Sequence, residues 1–306
     1  MERPGFLDFL KWQWNRPDHG RWEPPLAEPD PLGEREGRAI TWIGHATVLL
    51  EVDGRTVLTD PVFSERASPV DWAGPSRYTP PRPELRELPP VDVVLISHNH
   101  YDALDEASVE ALAEAHPGAR FLVPLGLADW FRERGIDRVT ELDWWESTEH
   151  AGLRVTATPV QHWSKRGLFD ENETLWAGWA VDFGDFDFWF AGDTGYQPDH
   201  FRATGERLGP FDLAAIPIGA YAPRWFMQAS HVTPEEAMQI REDVGARQAA
   251  AIHWGTFPLT DEPPAEPARR LRDARRAAGL APGAFRVLRH GETWRLSEPA
   301  EPRVAP

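Results

Sequence analysis

From Ile40 onward the chain alternates between short apolar runs and polar breaks. Ile40–Ile43, Thr47–Val52 and Thr56–Thr59 are rich in β-branched residues and separated by Gly-containing breaks, which predicts a strand meander. Asp53-Gly54 marks the turn between two of these strands. Val91–Ser97 is apolar almost throughout, the pattern of a strand buried on both faces. Phe121–Pro124, Leu153–Thr158, Asp212–Pro217 and Gln248–Ile252 predict further strands, and Ala177–Phe183 with Phe186–Ala191 a hairpin across Gly184-Asp185.

Helical stretches lie between them. Asp105–His116 reads as a helix with Asp105 as its cap and Pro117-Gly118 as its stop. Leu127–Arg134 and Pro267–Ala278 predict two more. Thr233-Pro234-Glu235-Glu236 is a capping box with proline in the first turn, so a helix runs from there toward Val244. Residues 62–90 are a long Pro-rich loop, and loops of that length inside a domain are often functional. Strands alternating with helices behind a front meander predict one α/β domain over residues 39–296. Residues 1–38 form an extension that docks on the body or on a membrane, and residues 297–306 a loose tail.

Composition narrows the chemistry. The chain of 306 residues has no cysteine, so disulfides, thiolate metal sites and cysteine nucleophiles are excluded together. Any metal must be held by His, Asp, Glu and water. A net charge of −17 argues against nucleic acid as a partner, although it leaves room for a local pocket for one phosphate. No stretch reaches the length of a membrane span, and the first residues do not read as a signal peptide, so a cytoplasmic protein is expected. Phe6, Leu7, Phe9, Leu10, Trp12 and Trp14 still make an apolar opening, and residues 6–14 are a candidate for peripheral membrane contact.

The most specific feature is Ser97-His98-Asn99-His100-Tyr101-Asp102, directly after a buried strand. Alternate residues of an extended chain face the same way, so His98, His100 and Asp102 can converge. Two imidazoles and a carboxylate form a ligand set for zinc, iron or manganese. The carboxyl end of a buried strand is where α/β proteins place ligands. His162, Asp193 and His253 share that address, each following a predicted strand. His231 sits just before the capping box, where an anion is favoured. His45 either supports such a site from behind or is structural. Asp60 can accept a hydrogen bond from a metal-bound His. His19, His116, His150, His200 and His290 read as surface residues. Tyr101, Trp144, Trp145, Trp163, Trp225 and Trp254 are candidates for an apolar substrate groove.

Gly44-His45-Ala46-Thr47, Thr59-Asp60-Pro61, His98-Asn99-His100-Tyr101-Asp102, Gln161-His162-Trp163, Ala191-Gly192-Asp193-Thr194-Gly195 and Ile252-His253-Trp254-Gly255-Thr256-Phe257 resemble the metallo-β-lactamase superfamily in order and spacing. Glu141-Leu142-Asp143-Trp144-Trp145 and the run from Gly209 to Tyr221 are similar, more narrowly, to the N-acylphosphatidylethanolamine-hydrolysing phospholipase D family. The resemblance implies a four-layer αβ/βα sandwich with a dinuclear metal centre, zinc foremost and iron or manganese as alternatives. It implies that His98, His100, His162 and Asp193 hold a first metal. It assigns Asp102, His253 and the bridging Asp193 to a second. The implied reaction is metal-dependent hydrolysis of a phospholipid to phosphatidic acid and N-acylethanolamine. Asp102 and Asp193 would then act at the metal-activated water, and His231 on a phosphate oxygen or the leaving alkoxide. A homodimer is the oligomeric state to test for.

One ligand position departs from the family. The residue after Asp102 is a further His in relatives and is Ala103 here. A methyl group cannot coordinate, so a weakened second site and a slowed reaction are expected. Three explanations stand: a deliberate inactivating substitution, which the intact surroundings favour, a natural mononuclear enzyme, or a natural pseudoenzyme. A lactone, β-lactam or other phosphodiester as substrate, and a non-catalytic lipid- or metal-binding role, are the competing functions.

Overall fold

The strands separate their side chains onto two faces, and this decides the layering. The computed structural model describes residues 37–296 together with 11–12, 17, 20, 22–27 and 32–33. Phe6, Leu7, Phe9, Leu10, Trp14, His19 and the expected tail 297–306 lie outside the described residues. Strands β1 (Arg38–Gly44), β2 (Thr47–Val52) and β3 (Arg55–Thr59) form the predicted antiparallel meander. Strands β4 (Val93–Leu95), β5 (Arg120–Pro124) and β6 (Val139–Leu142) extend it in parallel. Along them Trp42, Val48, Leu50, Val57, Val93 and Leu95 enter one buried cluster, and Leu49, Leu58, Val94 and Ile96 enter another. Period-2 alternation between two buried clusters is what a sheet covered on both faces requires.

The second sheet is built likewise. Strands β7 (Ser147–His150), β8 (Leu153–Thr158), β9 (Gly178–Asp182) and β10 (Asp187–Phe190) are antiparallel, and β11 (Leu213–Pro217) and β12 (Gln248–Ile252) continue in parallel. The last strand, β13 (Thr293–Leu296), returns to pair with β1. Among the described residues this makes a seven-stranded and a six-stranded sheet. Their facing sides share the larger core, where Trp42, Val48 and Leu50 join Trp179, Phe188 and Phe190.

Helices cover the outer faces. Helices α1 (Glu106–Ala115) and α2 (Ala128–Arg132) lay Val109, Leu112 and Phe131 on the first sheet. Helices α3 (Pro198–Leu208), α5 (Pro234–Asp243) and α6 (Glu266–Ala277) contribute Phe201, Ile240 and Leu271 to the larger core, and α4 (Arg224–Met227) is a single turn before α5. The architecture is the four-layer αβ/βα sandwich, the metallo-β-lactamase fold.

Some local expectations change. The apolar run 91–97 pairs as a ladder over three residues, because Asp92 and Ser97 turn to bond neighbouring strands and loops. Asp105 does occupy the cap position of α1, but its carboxylate makes no capping bond to the helix backbone. It accepts from the Ser64 N–H at 3.1 Å and from the Ser108 hydroxyl instead, tying the long loop to the helix. The box at α5 forms as written: Thr233 Oγ1 accepts from the Glu236 N–H at 3.2 Å, and Glu236 accepts from the Thr233 N–H at 2.8 Å. Trp12 is buried, stacks on Phe226 at 5.1 Å and donates to Asp261 at 2.9 Å, so this part of the extension packs on the body. No helix among the described residues is long and apolar enough to cross a membrane.

Candidate metal centre

Each candidate residue sits where a strand ends. His98, His100 and Asp102 follow β4, His162 follows β8, Asp193 follows β10 and His253 follows β12. The two sheets present these ends along one edge, and the side chains meet there. His162 Nε2 lies 3.3 Å from His100 Nδ1, and Asp193 Oδ2 lies 3.8 Å from His98 Nε2 and 3.9 Å from His162 Nε2. On the other side His253 Nε2 stands 3.0 Å from Asp193 Oδ2 and 3.5 Å from Asp102 Oδ2. His45, from the β1–β2 turn, reaches Asp102 Oδ2 with Nε2 at 3.0 Å. His231, three residues before α5, completes a group with Asp193 and His253.

The supports behind these rings fix which atoms face inward. Asp60 accepts from the Ser97 N–H at 2.7 Å and from the Ser97 hydroxyl at 2.6 Å, and that hydroxyl lies 2.8 Å from His98 Nδ1. Asp60 therefore acts on His98 through Ser97, not by the direct bond expected from sequence. The main chain makes this possible at Gly192, whose φ of +59° suits glycine. A Cβ there would lie 2.5 Å from Ser97 Cβ. His162 Nδ1 donates to the Ser230 carbonyl at 3.1 Å, which leaves Nε2 as the lone-pair nitrogen.

Several inward atoms lack partners. His98 Nε2, His253 Nε2 and Asp193 Oδ1 are buried and make no hydrogen bond, and the same holds for His231 Nδ1. Unpaired polar atoms at this density are costly unless something binds them. Burial, with His100 beside it, pushes His98 down to about 3, and burial likewise lowers His100 and His162. Burial alone would lower His253 too, but Asp193 and Asp102 outweigh it and raise it to about 10. Burial would raise both carboxyls; the neighbouring imidazoles, His253 first, hold Asp102 and Asp193 well below the usual carboxylate range. Neutral His98, His100 and His162 beside ionised carboxylates are the donor chemistry that a divalent metal requires, and His253, held protonated by Asp193 and Asp102, gives up its proton to join it. The residues present fit the implied metal.

The other candidates divide. Trp163 packs on His100 at 4.5 Å between ring centroids, and Tyr101 donates to the Arg166 carbonyl at 2.9 Å, so both flank the cluster. Trp225 is exposed and packs on Phe226, while its neighbour Arg224 donates to the His231 carbonyl. Trp254 is buried and stacked on Trp42 at 5.1 Å, which places it in the core and not on a groove wall. Trp144 packs on Trp176 and His200, and Trp145 lies under Arg207; none of these neighbours belongs to the cluster. His290, expected at the surface, is buried against Trp42 and bonds Thr256 at 2.9 Å. His116, His150 and His200 are partly exposed. Ser97 is the residue that sequence reasoning passed over, although it stands directly before His98.

Comparison with known proteins gives a consistent picture. Residues 55–254 match the family described as Beta-lactamase superfamily domain. The N-acyl-phosphatidylethanolamine-hydrolyzing phospholipase D 1 of Caenorhabditis elegans is 44% identical over 280 residues, covering 88% of this chain and 79% of that protein. The mitochondrial N-acyl-phosphatidylethanolamine-hydrolyzing phospholipase D of Saccharomyces cerevisiae is 36% identical over 79% of this chain, which spans 54% of the yeast protein. Among solved structures, Igni18, a metallo hydrolase from Ignicoccus hospitalis, superposes with a TM-score of 0.64 at 22% identity, over 85% of this chain and 98% of that one, a likeness of fold.

Proposed function

Because this chain belongs to the metallo-β-lactamase superfamily, and within it to the N-acylphosphatidylethanolamine-hydrolysing phospholipase D family, we propose that it is a metal-dependent phosphodiesterase acting on N-acylphosphatidylethanolamine or a related phospholipid. The observation that carries this reading is the set of buried, unpartnered imidazole nitrogens around Asp193. His98 and His162 through Nε2, His100 through Nδ1 and Asp193 would hold one metal. Asp102, His253 and Asp193 would contribute to a second. Zinc is the metal proposed, and iron or manganese would accept the same donors. A bound divalent metal supplies a lowered pKa for water and polarises a phosphoryl oxygen.

The chain's own groups do the positioning. Asp102, still partly open to solvent with 16% of its side chain exposed, can accept a hydrogen bond from the attacking water and orient it. The water oxygen bonds to phosphorus, the P–O bond to the ethanolamine oxygen breaks, and that oxygen takes up the proton. Phosphatidic acid and N-acylethanolamine result. His231, grouped with Asp193 and His253, is placed to hydrogen-bond a phosphoryl oxygen or the departing oxygen. Ala103 brings no donor to this arrangement.

A lipid substrate suits the surroundings. The segment after His162 is tied to the His100 loop, with the Lys165 N–H donating to Asn99 at 2.8 Å and Arg166 bonding the Asn99 and Leu104 carbonyls. At its tip Leu168 is 83% and Phe169 92% exposed, which suits insertion among acyl chains beside the site. Purified zinc-loaded protein, offered N-acylphosphatidylethanolamine, a chromogenic β-lactam and a phosphodiester dye, tests the reading. Release of phosphatidic acid and N-acylethanolamine, seen by mass spectrometry, is expected. Turnover of the lactam without the phospholipid would overturn it.

A further inference from the structure

Ala103 takes one expected donor away from the side of the site that holds Asp102. We propose that His45 replaces it, so that this chain binds a second divalent metal through His45, Asp102, His253 and the bridging Asp193. The proposal rests on reading the pocket as a metal centre, and it reverses the expectation of a depleted second site.

The distances carry it. Two donors on one tetrahedral ion, each about 2.0–2.2 Å from it, stand roughly 3.3–3.5 Å apart. His45 Nε2 and His253 Nε2 lie 3.0 and 3.5 Å from the same oxygen, Asp102 Oδ2. His253 Nε2 lies 3.0 Å from Asp193 Oδ2. Donor atoms of His45, Asp102 and His253 all fall within 4.8 Å of one another. His45, Asp102 and His253 thus form one group with donor spacings of 3.0 and 3.5 Å, close to those a single ion would impose, and His253 links that group to Asp193.

The backbone holds His45 there by force. Its φ is +54°, a left-handed conformation unusual for histidine. Three hydrogen bonds over-determine it. The His45 N–H donates to Thr256 Oγ1 at 2.7 Å, and its carbonyl accepts from the His253 N–H at 2.8 Å and from Trp42 Nε1 at 2.9 Å. Residues kept in strained conformations by such bonding cluster at functional sites. The arrangement sets the His45 and His253 rings 3.9 Å apart, side by side over Asp102. His231 is the other imidazole nearby, but its group is with Asp193 and His253, and its ring stands 5.5 Å from that of His253. Of His45 and His231, it is His45 that joins His253 at Asp102.

Zinc content after loading and desalting gives the test, read by elemental analysis. The unmodified chain should hold two equivalents, and His45→Asn one. Asn tolerates a left-handed backbone, so this variant keeps the turn. Adding Ala103→His to His45→Asn should restore two, and His231→Gln alone should retain two. A zinc-loaded crystal structure supplies an independent readout that needs no variant: His45 Nε2 about 2.0–2.1 Å from the metal. One equivalent in the unmodified chain, two in His45→Asn, or a His45 ring that only hydrogen-bonds Asp102 beside the metal would each overturn the proposal. No stoichiometric metal in the unmodified chain would instead remove the underlying metal reading, and this proposal with it.

Discussion

His98 is oriented by a relay of two groups. Asp60 grips the Ser97 hydroxyl, and that hydroxyl meets His98 Nδ1. Partners of this kind typically account for 10–100-fold in metal affinity. Ser97→Ala should therefore weaken the metal beside His98 by about that factor. Competition with a chromophoric chelator measures it, and unchanged affinity would show the relay to be ornamental. His290 offers a different test. Burial, aided by Arg77 and His45, holds it down to about 3. Its ordinary value is 6.5, so below pH 6.5 the unfolded chain takes up a proton that the folded chain refuses. Stability is then lost as pH falls from about 6.5 toward about 3 and is unaffected by this group above that window. His290→Phe keeps the ring on Trp42 and should flatten the decline in Tm over that range by one proton's worth. Thermal melts in chelator across pH 4–7 check it, and an unchanged slope would count against the argument. At this scale the candidate ligands were legible, because His98, His100 and Asp102 declare themselves by alternation and the fold brings them to one cluster. The burial of His290 was not, because Trp42 and Thr256, which enclose it, come from remote parts of the chain.

Strands legible in the sequence were those that bury both faces, such as β4, β11 and β12, where an apolar run has no alternative reading. Strand β7 was missed because Ser147–His150 is a polar edge strand with no residue fully buried. Helix α3 was missed for a related reason: of its 11 residues Phe201 and Thr204 alone are buried, too few to show a period. Strand β13 pairs with β1 from the far end of the chain, and no local pattern announces that. The helix at α5 was legible to its boundaries because a reciprocal cap is written locally. Strand ends explain the site as well. His45, Asp60 and His253 all leave β1, β3 and β12 with positive φ. The turns that end these strands are thus the devices that swing side chains inward. Sequence shows where a strand stops; it does not show that its last residue turns back toward the edge. That is why His45 could be singled out without its place beside Asp102 being foreseen.

Across the whole molecule, the same edge that gathers the ligands also carries exposed apolar groups. Leu168 and Phe169 stand out on the loop tied to Asn99, between His98 and His100, and Trp225 stands out beside Arg224, which bonds the His231 carbonyl. Replacing Leu168 and Phe169 by Ser should lower cosedimentation with phospholipid vesicles several-fold, while turnover of a water-soluble phosphodiester stays unchanged. Equal loss on both substrates would mean that the loop supports the site itself and not its contact with lipid. The two sheets also divide the donors between them. His98, His100 and Asp102 come from the seven-stranded sheet, and His162, Asp193 and His253 from the six-stranded one. With the metal centre as proposed, a chain whose halves have not yet docked holds no complete site. The ion then adds its binding free energy to the closed sandwich alone. Metal supply would in this way set the lifetime of the folded chain against proteolysis, and starvation for the ion would clear the protein as well as silence it.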